Sequence, residues 1–272
     1  MKRVLLTGAG GGIGARLRTL LPPHYDLRLS DLKAPPDLCA EEEFVAADLF
    51  DMAQVERAVD GMDGIIHFGA QSVEADWDTI LHSNIHGTYN VFEAARRKGV
   101  KRLVFASSNH VVGFYPRDRR LATDVTLLPD TRYGVSKACG EALGALYAYK
   151  YGLNVLCLRI GNVSDGPTDM RLASVWLKPD DLVQLIRIGL EHPELRYEIF
   201  YGVSDNARGW WDNAAAYRYG YQPAGNSETM LQQALEGQAQ RPADPVGDHY
   251  RGGHFASAEF EGGLARVKGT AR

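Results

Sequence analysis

The sequence predicts an α/β protein with a doubly wound parallel sheet, and three observations support this. Over the first 160 residues, short apolar strands alternate with amphipathic helical patterns, which is typical of a parallel sheet with helices on both faces. A glycine-rich loop, residues 7–14, joins the first strand to the first helix. Right-handed crossovers between parallel strands then distribute the helices over the two faces.

The predicted elements of this part are short strands and the helices that return between them. The strands are residues 4–6, 26–30, 44–47, 64–68, 103–107 and 154–160. The helices are residues 13–21, 52–59, 77–98 and 132–151. Pro22-Pro23 stops the first helix, because proline cannot continue it. Gly61, Gly99 and Gly152 follow the other three, as is usual at helix ends.

The pattern loosens after residue 160, where we expect a small C-terminal lobe and no independent domain. Its predicted elements are helices 179–192, 209–219 and 228–236 and a strand at 198–203. From Gly237 the chain is rich in Gly, Pro, Asp and Arg, which predicts a loop draped on the body. The expected division is therefore a core of residues 1–165 and a lobe with an irregular tail, residues 166–272.

Composition limits the class of protein. The 272 residues include 30 Lys and Arg against 34 Asp and Glu, a net charge of −4, and 45% are apolar. That apolar content suffices for a large core and excludes a disordered chain or a disulfide-stapled miniprotein. The charge gives no general attraction to nucleic acid or to anionic membranes, so we expect neither as a partner.

Three features indicate the compartment. Only three apolar residues separate the N-terminal basic pair from the glycines, too few for a signal peptide. No apolar run approaches the roughly 18 residues of a membrane span. Cys39, Cys139 and Cys157 are widely spaced and odd in number, which predicts neither a disulfide framework nor a metal site. We therefore expect a cytoplasmic protein with reduced thiols and no metal.

The glycine-rich loop predicts a dinucleotide site. Gly8 allows a tight turn, Gly11 lets the backbone approach a pyrophosphate, and Gly14 lets the helix lie close to the sheet. Gly12 and Ile13 begin the helix, whose N-terminus attracts phosphate. The alternative is a flexible loop, and the strand–loop–helix context favours binding over it.

Carboxylates after the second and third strands indicate the cofactor. Asp31 lies 17 residues after Gly14, where it can accept hydrogen bonds from ribose hydroxyls and repel a 2′-phosphate. This predicts NAD rather than NADP, although Asp31 alone could be an ordinary turn residue. Asp48 and Leu49 are predicted at the adenine edge, and the alternative for Asp48 is the N-cap of the next helix.

Two further patterns carry reaction chemistry. Tyr133 and Lys137 are four apart on a predicted helix and share a face, so the ammonium can lower the pKa of the phenol. The spacing alone arises often by chance. Ser108, Asn109 and His110 follow the fifth strand, whose carboxyl end faces the crevice of such a sheet. His110 could equally be a satisfied structural histidine.

Together these motifs resemble the extended short-chain dehydrogenase/reductase superfamily, the NAD-dependent epimerases and dehydratases. The resemblance covers residues 1–165 and depends on T-G-x-x-G-x-x-G at 7–14, Asp31, Ser108 and Y-x-x-x-K at 133–137. The separation of 25 positions between Ser108 and Tyr133 resembles that in sugar-nucleotide epimerases. The resemblance implies a Rossmann fold and NAD as cofactor, with Phe68, Gly69 and Ala70 among its contacts.

A narrower resemblance is to the uronate dehydrogenase family, and it extends to about residue 260. It depends on residues 71–74, 105–110, 113–116, 159–161, 170–171, 209–213 and 252–255, of which W-W-D-N at 210–213 is the most specific. The last dozen residues match no pattern. The implied reaction is NAD⁺-dependent oxidation of D-glucuronate or D-galacturonate at C1 to an aldarolactone.

The same resemblance implies a role for each site residue. Tyr133 is the base, Lys137 supports it electrostatically, and Ser108 contacts the reacting oxygen. The implied substrate contacts are Ser72, Ser108, Asn109 and His110 for sugar hydroxyls, Arg171 for the carboxylate, and Asn162, where the family often has serine. Trp210 and Trp211 are expected to pack rather than react, and to lie at the floor of the pocket.

Two other functions stay open. A sugar-nucleotide epimerase or dehydratase needs a larger C-terminal lobe than the residues after the sixth strand provide. A non-catalytic NAD-binding regulator predicts the loss of Tyr133 or Lys137, and both are present. Helices 77–98 and 132–151 could pair across a dimer, so we also expect a homo-oligomer.

Overall fold

The computed structural model describes residues 2–263. Its nine strands are β1 Arg3–Thr7, β2 Asp26–Asp31, β3 Glu43–Ala46, β4 Gly64–His67, β5 Arg102–Ser108, β6 Asn154–Ile160, β7 Asn162–Val163, β8 Trp176–Leu177 and β9 Tyr197–Gly202. Seven of them form one parallel sheet in the order β3-β2-β1-β4-β5-β6-β9. The predicted doubly wound parallel sheet is confirmed.

The helices lie between these strands and in the lobe. They are α1 Gly12–Leu20, α2 Met52–Val59, α3 Trp77–Ile80, α4 Gly87–Arg97, α5 Arg132–Tyr151, α6 Met170–Val175, α7 Pro179–Glu191, α8 Ala214–Arg218, α9 Leu231–Ala239 and α10 His254–Ser257. A π-helix, Leu81–His86, and 3₁₀ turns at Asn109–Val112 and Ser227–Met230 complete them. Within residues 2–263, no helix has the length and apolar character that crossing a bilayer requires.

Alternation along the central strands fills a core on each face of the sheet. In β1, Val4 and Leu6 pack into one core and Leu5 packs into the other. In β5, Val104 belongs to the first core and Leu103 to the second. This alternation with a period of two explains why the central strands are apolar throughout.

Helix ends follow from side chains that the sequence places there. Asp51 is the N-cap of α2. Its carboxylate accepts hydrogen bonds from the N–H groups of Ala53 and Gln54 at 2.9 and 3.1 Å. Asp48 instead accepts from Phe50 N at 2.9 Å, so its alternative assignment as the N-cap is wrong. Gly152 ends α5 with φ of +73°, a conformation that favours glycine.

The predicted helix 77–98 is confirmed as one helical run from Trp77 to Arg97, but its middle part, Leu81–His86, is π-helical and separates α3 from α4. Within that segment Asn84 is buried. Its Oδ1 accepts from Gln71 N at 2.8 Å, and its Nδ2 donates to Gln71 O and to Ser136 Oγ, both at 3.0 Å. The wider π-helical turn occurs where the Asn84 amide faces inward, and the spacing of the apolar residues gives no sign of this polar contact.

The lobe departs further from expectation. The predicted helix 209–219 shortens to α8, and residues 170–175, expected to be irregular, form α6 with Asp169 accepting from Leu172 N at 2.7 Å. The short β7–β8 ladder was not predicted, and the predicted loop after Gly237 contains α10. The tip of the tail, residues 264–272, lies outside the described residues. The division at residue 165 stays a prediction.

Candidate active site

One cavity of about 1210 Å³ lies at the carboxyl ends of the sheet strands. Every residue assigned above to cofactor, substrate or chemistry lines it. These are Gly8, Gly11, Gly12, Ile13, Gly14, Asp31, Asp48, Leu49, Phe68, Gly69, Ala70, Ser72, Ser108, Asn109, His110, Tyr133, Lys137, Asn162 and Arg171. The volume exceeds that usual for one drug-sized ligand, so it suits a dinucleotide and a small sugar together.

The glycine loop forms one end of the cavity. A Cβ on Gly14 would lie 2.1 Å from Gly8 O, so only glycine lets α1 approach the loop this closely. Gly8 has φ of +73°, as its tight turn requires. A Cβ on Gly12 would meet nothing within 4 Å, and N-cap Gly11 offers no side chain to the free N–H groups of α1. The loop is thus an open anion cradle that fits a pyrophosphate.

Asp31 lies at the same end of the cavity as the glycine loop. Its Oδ2 accepts from Gly10 N at 2.9 Å and its Oδ1 from Leu32 N at 2.7 Å. These bonds fix the carboxylate at the mouth of the glycine loop, where it lines the cavity. A fixed anion at this place suits ribose hydroxyl donors and opposes a further phosphate.

Buried hydrogen bonds between Thr7, at the end of β1, and the end of β4 shape the adjoining part of the cavity wall. Thr7 Oγ1 accepts from the N–H groups of Phe68 and Gly69 at 3.2 and 3.0 Å, and it lies 2.8 Å from His67 Nδ1. Burial, and to a lesser degree the charge of Lys137, lowers the pKa of His67 to about 3. The His67 ring is therefore neutral. Together with Thr7 Oγ1, it fixes the backbone at the end of β4, where Phe68, Gly69 and Ala70 line the cavity.

Tyr133 and Lys137 lie at the other end of the cavity, in the first two turns of α5. Lys137 Nζ is 5.5 Å from the centre of the Tyr133 ring and 5.1 Å from that of Phe105. Burial lowers the pKa of Lys137 to about 7. Burial also raises the pKa of Tyr133 to about 12, against its hydrogen bond with Ser108, which lowers it. Both side chains are thus largely removed from solvent.

Glu74 positions the start of α5 from a neighbouring loop. Its Oε2 accepts from Tyr133 N at 2.9 Å, and its Oε1 accepts from Arg132 Nη1 at 2.5 Å. Ser72 lies two residues before it and lines the cavity. The loop that carries a predicted substrate contact is therefore tied to the helix that carries the predicted base. Sequence reasoning assigned no role to Glu74, although its motif was recognised.

Ser108 ends β5 and turns the chain into the 3₁₀ segment. Its Oγ accepts from His110 N at 3.2 Å and lies 3.4 Å from Asn109 Oδ1. His110 Nδ1 lies 2.8 Å from Asp130 Oδ2, and the ring also lines the cavity. His110 is thus satisfied on one side and available on the other, so both interpretations made from the sequence describe it in part.

Arg171 lines the same cavity as the predicted base, from the first turn of α6. Its Nε donates to Arg251 O at 2.8 Å, while its Nη2 is buried without a hydrogen-bond partner among the described residues. Burial lowers the pKa of Arg171 to about 10, and it stays cationic at neutral pH. A buried cation with an unused donor favours an anionic ligand.

The remaining lobe residues separate into wall and packing. Asn162 lines the cavity and its Oδ1 accepts from Ser164 Oγ at 2.7 Å. Trp211 stacks on Tyr201 with ring centres 4.4 Å apart, and Arg251 lies over both tryptophan rings. Neither tryptophan lines the cavity, so their expected place at its floor is wrong and their packing role stands. Within residues 2–263, no group of three or more His, Cys, Asp or Glu side chains is arranged to hold a metal.

Comparisons with known proteins agree with this arrangement. The NAD dependent epimerase/dehydratase family matches residues 4–194. Uronate dehydrogenase of Pseudomonas putida is 45% identical over 258 residues, which cover 94% of this chain and 96% of that protein. The crystal structure of glucuronic acid dehydrogenase from Chromohalobacter salexigens is 41% identical, with a TM-score of 0.89, and the match covers 94% of this chain and 96% of that one.

A further solved structure bears on the cofactor. A mutant uronate dehydrogenase from Agrobacterium tumefaciens, complexed with NAD, is 41% identical with a TM-score of 0.89. The match covers 94% of this chain and 97% of that one. Since these matches extend over nearly the whole chain, it belongs to the NAD dependent epimerase/dehydratase family and, within it, to the uronate dehydrogenases.

Proposed function

We propose that this chain oxidises a hexuronic acid, D-glucuronate or D-galacturonate, at C1 with NAD⁺ and releases an aldarolactone. The observation that carries the proposal is a guanidinium nitrogen of Arg171 that has no hydrogen-bond partner in residues 2–263 and lies in the same cavity as Ser108 and Tyr133. A carboxylate is the planar anion that a guanidinium fork binds best. A neutral sugar leaves that donor without a partner.

The cofactor would occupy the end of the cavity that Asp31 and the glycine loop enclose. Gly11, Gly12 and the N-terminus of α1 would hold the pyrophosphate, and Asp31 would accept from the ribose hydroxyls. When bound, NAD⁺ supplies the acceptor for a hydride and a positive charge on the nicotinamide ring. The named NAD complex of a relative at 41% identity supports this assignment.

In this proposal Tyr133 handles the proton. Oxidation of a cyclic uronate at C1 removes a hydride from the carbon and a proton from its hydroxyl, and the C–O bond becomes the lactone carbonyl. The Tyr133 phenolate takes that proton as a general base. Its pKa is raised to about 12 by burial, so a nearby positive charge has to favour the phenolate. In its protonated form, Lys137 would supply one such charge from the next helical turn.

The substrate's hydroxyls would meet a polar wall. Ser108 holds the reacting oxygen, and its bonds to the 3₁₀ segment fix its place. Ser72, Asn109, His110 and Asn162, which line the same cavity, would bind the remaining hydroxyls. Each offers a hydrogen-bonding group to the cavity, and together with Arg171 they select a small sugar acid.

We also infer a homo-oligomer that pairs the outer faces of α4 and α5. Tyr89, Leu146, Tyr149 and Tyr151 are exposed there, and Tyr149 is 80% exposed. Apolar surface of this kind favours contact with another protein surface. Size-exclusion chromatography with light scattering tests this by measuring the molar mass in solution. We expect Tyr149→Lys to shift that mass toward the monomer. An unmodified protein that elutes as a monomer would contradict it.

Reduced thiols support the proposal of a cytoplasmic enzyme. Cys39 is exposed, Cys139 is half-buried and Cys157 is buried, and all three are unpaired. An exposed thiol without a disulfide partner suits a reducing compartment.

An assay of NADH formation tests the proposed reaction. Glucuronate and galacturonate should give NADH, whereas glucose, glucose 6-phosphate and a nucleotide sugar should give little. Conversion of the nucleotide sugar alone, followed by product analysis because these reactions form no net NADH, would favour an epimerase or dehydratase. NAD binding without turnover of any sugar would favour a regulator. Either result would exclude the proposed function.

A further inference from the structure

Asp130 is a buried carboxylate beside the reaction end of the cavity. Its side chain has no solvent exposure, and its Oδ2 lies 2.8 Å from His110 Nδ1. Its Oδ1 accepts from Thr131 Oγ1 at 3.2 Å, and its backbone N–H donates to His110 O at 3.3 Å. Asp130 and His110 are thus joined through side chain and backbone, two residues before α5 begins.

The surrounding chain is shaped to admit this carboxylate. A Cβ on Gly113 would lie 1.9 Å from Asp130 Oδ2, and a Cβ on Gly252 would lie 1.7 Å from the same atom. Two glycines from distant parts of the chain therefore leave room for one oxygen. If position 130 served only for packing, an apolar side chain could fill this space, and no hydrogen-bond acceptor would be needed there.

The hydrogen bond assigns the proton on the His110 ring. A carboxylate only accepts, so Nδ1 must donate and carries the proton. In the neutral ring, Nε2 then holds a lone pair. Nε2 makes no hydrogen bond within residues 2–263, while the ring lines the cavity. Packing against Phe255, with ring centres 4.2 Å apart, restrains the ring plane.

We propose that Asp130 is a positioning residue that holds His110 as an acceptor for one hydroxyl of the sugar. The inference rests on the proposed function, since that reaction supplies the polyhydroxylated substrate. Without the carboxylate, the proton can move to Nε2 and the ring presents a donor instead. A sugar hydroxyl that donates to Nε2 would then have to turn and accept instead, which gives up a hydrogen bond that its oxygen otherwise accepts and weakens substrate binding.

Asp130→Asn is the sharpest test, because it preserves shape. Thr131 Oγ1 holds the oxygen at the Oδ1 position, so the new amide nitrogen takes the Oδ2 position and donates to His110 Nδ1. This moves the ring proton to Nε2. Long-range ¹H–¹⁵N correlation spectra of the imidazoles report the tautomer directly, and His110→Ala identifies the His110 signals among those of eight histidines.

We expect the protonated nitrogen of His110 to be Nδ1 in the unmodified protein and Nε2 in Asp130→Asn. For uronate, kcat/KM should fall at least tenfold, mainly through KM, with NADH affinity unchanged. In a His110→Ala background the same substitution should change kcat/KM less than twofold. Asp181→Asn is the matched control, since Asp181 is buried in the lobe and accepts from Ala224 N and Gly225 N. It should lower stability without altering the His110 spectrum.

Two results would overturn the inference. One is an unmodified protein whose His110 carries its proton on Nε2. The other is an equal loss of kcat/KM from Asp130→Asn with and without His110, which would indicate a purely structural role. Absence of uronate oxidation in the unmodified protein would instead overturn the proposed function, because the spectrum of His110 does not depend on turnover.

Discussion

Lys137 Nζ lies 5.5 Å from the centre of the Tyr133 ring, and both side chains are buried. Asp31 accepts from the glycine loop and Asp130 lies against His110, so neither carboxylate pairs with Lys137. Burial therefore dominates the pKa of Lys137 and lowers it to about 7. A lysine held this way costs stability whenever it is charged.

The first prediction follows from the sign of that shift. The pKa of Lys137 is lower in the folded protein than its ordinary 10.5, so the unfolded chain binds more protons between pH 7 and 10.5. Stability from this group rises with pH there, by about 1.4 kcal/mol per pH unit at most. Lys137→Met removes that slope. The free energy of unfolding is measured by denaturant titration at several pH values, without cofactor. The variant should be more stable than the unmodified protein near pH 7, and the difference between the two should vanish toward pH 10.5. A difference independent of pH would contradict the assignment.

Removal of the Tyr133 hydroxyl should abolish most turnover. Tyr133→Phe keeps the ring and its packing, so thermal stability and NADH binding should be retained. Turnover of uronate should drop at least the roughly hundredfold typical of losing a general base. Stopped-flow and steady-state measurements of NADH formation check this, with Tyr147→Phe as control, since Tyr147 is buried against Glu93 at 2.9 Å outside the cavity. Near-normal kcat in Tyr133→Phe would exclude it as the base.

Asp31 should determine the choice of cofactor. Its carboxylate lines the cavity, bonded to the glycine loop, where a 2′-phosphate would meet a fixed negative charge. We expect kcat/KM with NAD⁺ to exceed that with NADP⁺ by far, and Asp31→Ala to narrow the ratio. Parallel assays with both cofactors measure it. Equal kcat/KM for the two in the unmodified protein would rule out this role.

Arg171 should distinguish acids from neutral sugars. A charge-assisted bidentate contact contributes about 1.5–3 kcal/mol, which is roughly ten- to a hundredfold in affinity. Arg171→Ala should lower kcat/KM for glucuronate and galacturonate by that factor and leave the weak activity on glucose and galactose nearly unchanged. Arg171→Lys should restore only part, because an ammonium lacks the fork. A uniform loss on acids and neutral sugars would show that Arg171 supports α6 and does not bind the carboxylate.

Local patterns explain why the core of the fold was predictable. Apolar strands such as 103–107 and helix stops such as Gly152 depend on neighbours in sequence, and they gave the sheet and α5 nearly to the residue. The π segment and the placement of the Arg171 side chain depend on contacts that sequence spacing does not contain. Asn84 turns inward to meet Gln71 and Ser136, and a backbone carbonyl 80 positions away holds Arg171.

The same distinction applies to the site. Residues at strand ends, such as Asp31 and Ser108, were predictable because parallel strands bring their carboxyl ends to one edge. Asp130 was not, since its partner lies 20 positions earlier and its space comes from Gly113 and Gly252. Nothing in the composition near Asp130 separates it from any other aspartate before a helix. The roles assigned to individual site residues stay predictions until the variants are measured.

The wall that holds Arg171 has a consequence for biosynthesis. The glycine loop and Tyr133 belong to the first half of the chain, whereas the Arg251 carbonyl and the Phe255 ring come more than 100 positions later. Synthesis runs from the N-terminus, so the sheet can form on the ribosome before that wall exists. The residues of the nucleotide-binding loop are thus synthesised first and those that hold Arg171 last, and a chain that ended near residue 240 would lack the Arg251 carbonyl and the Phe255 ring.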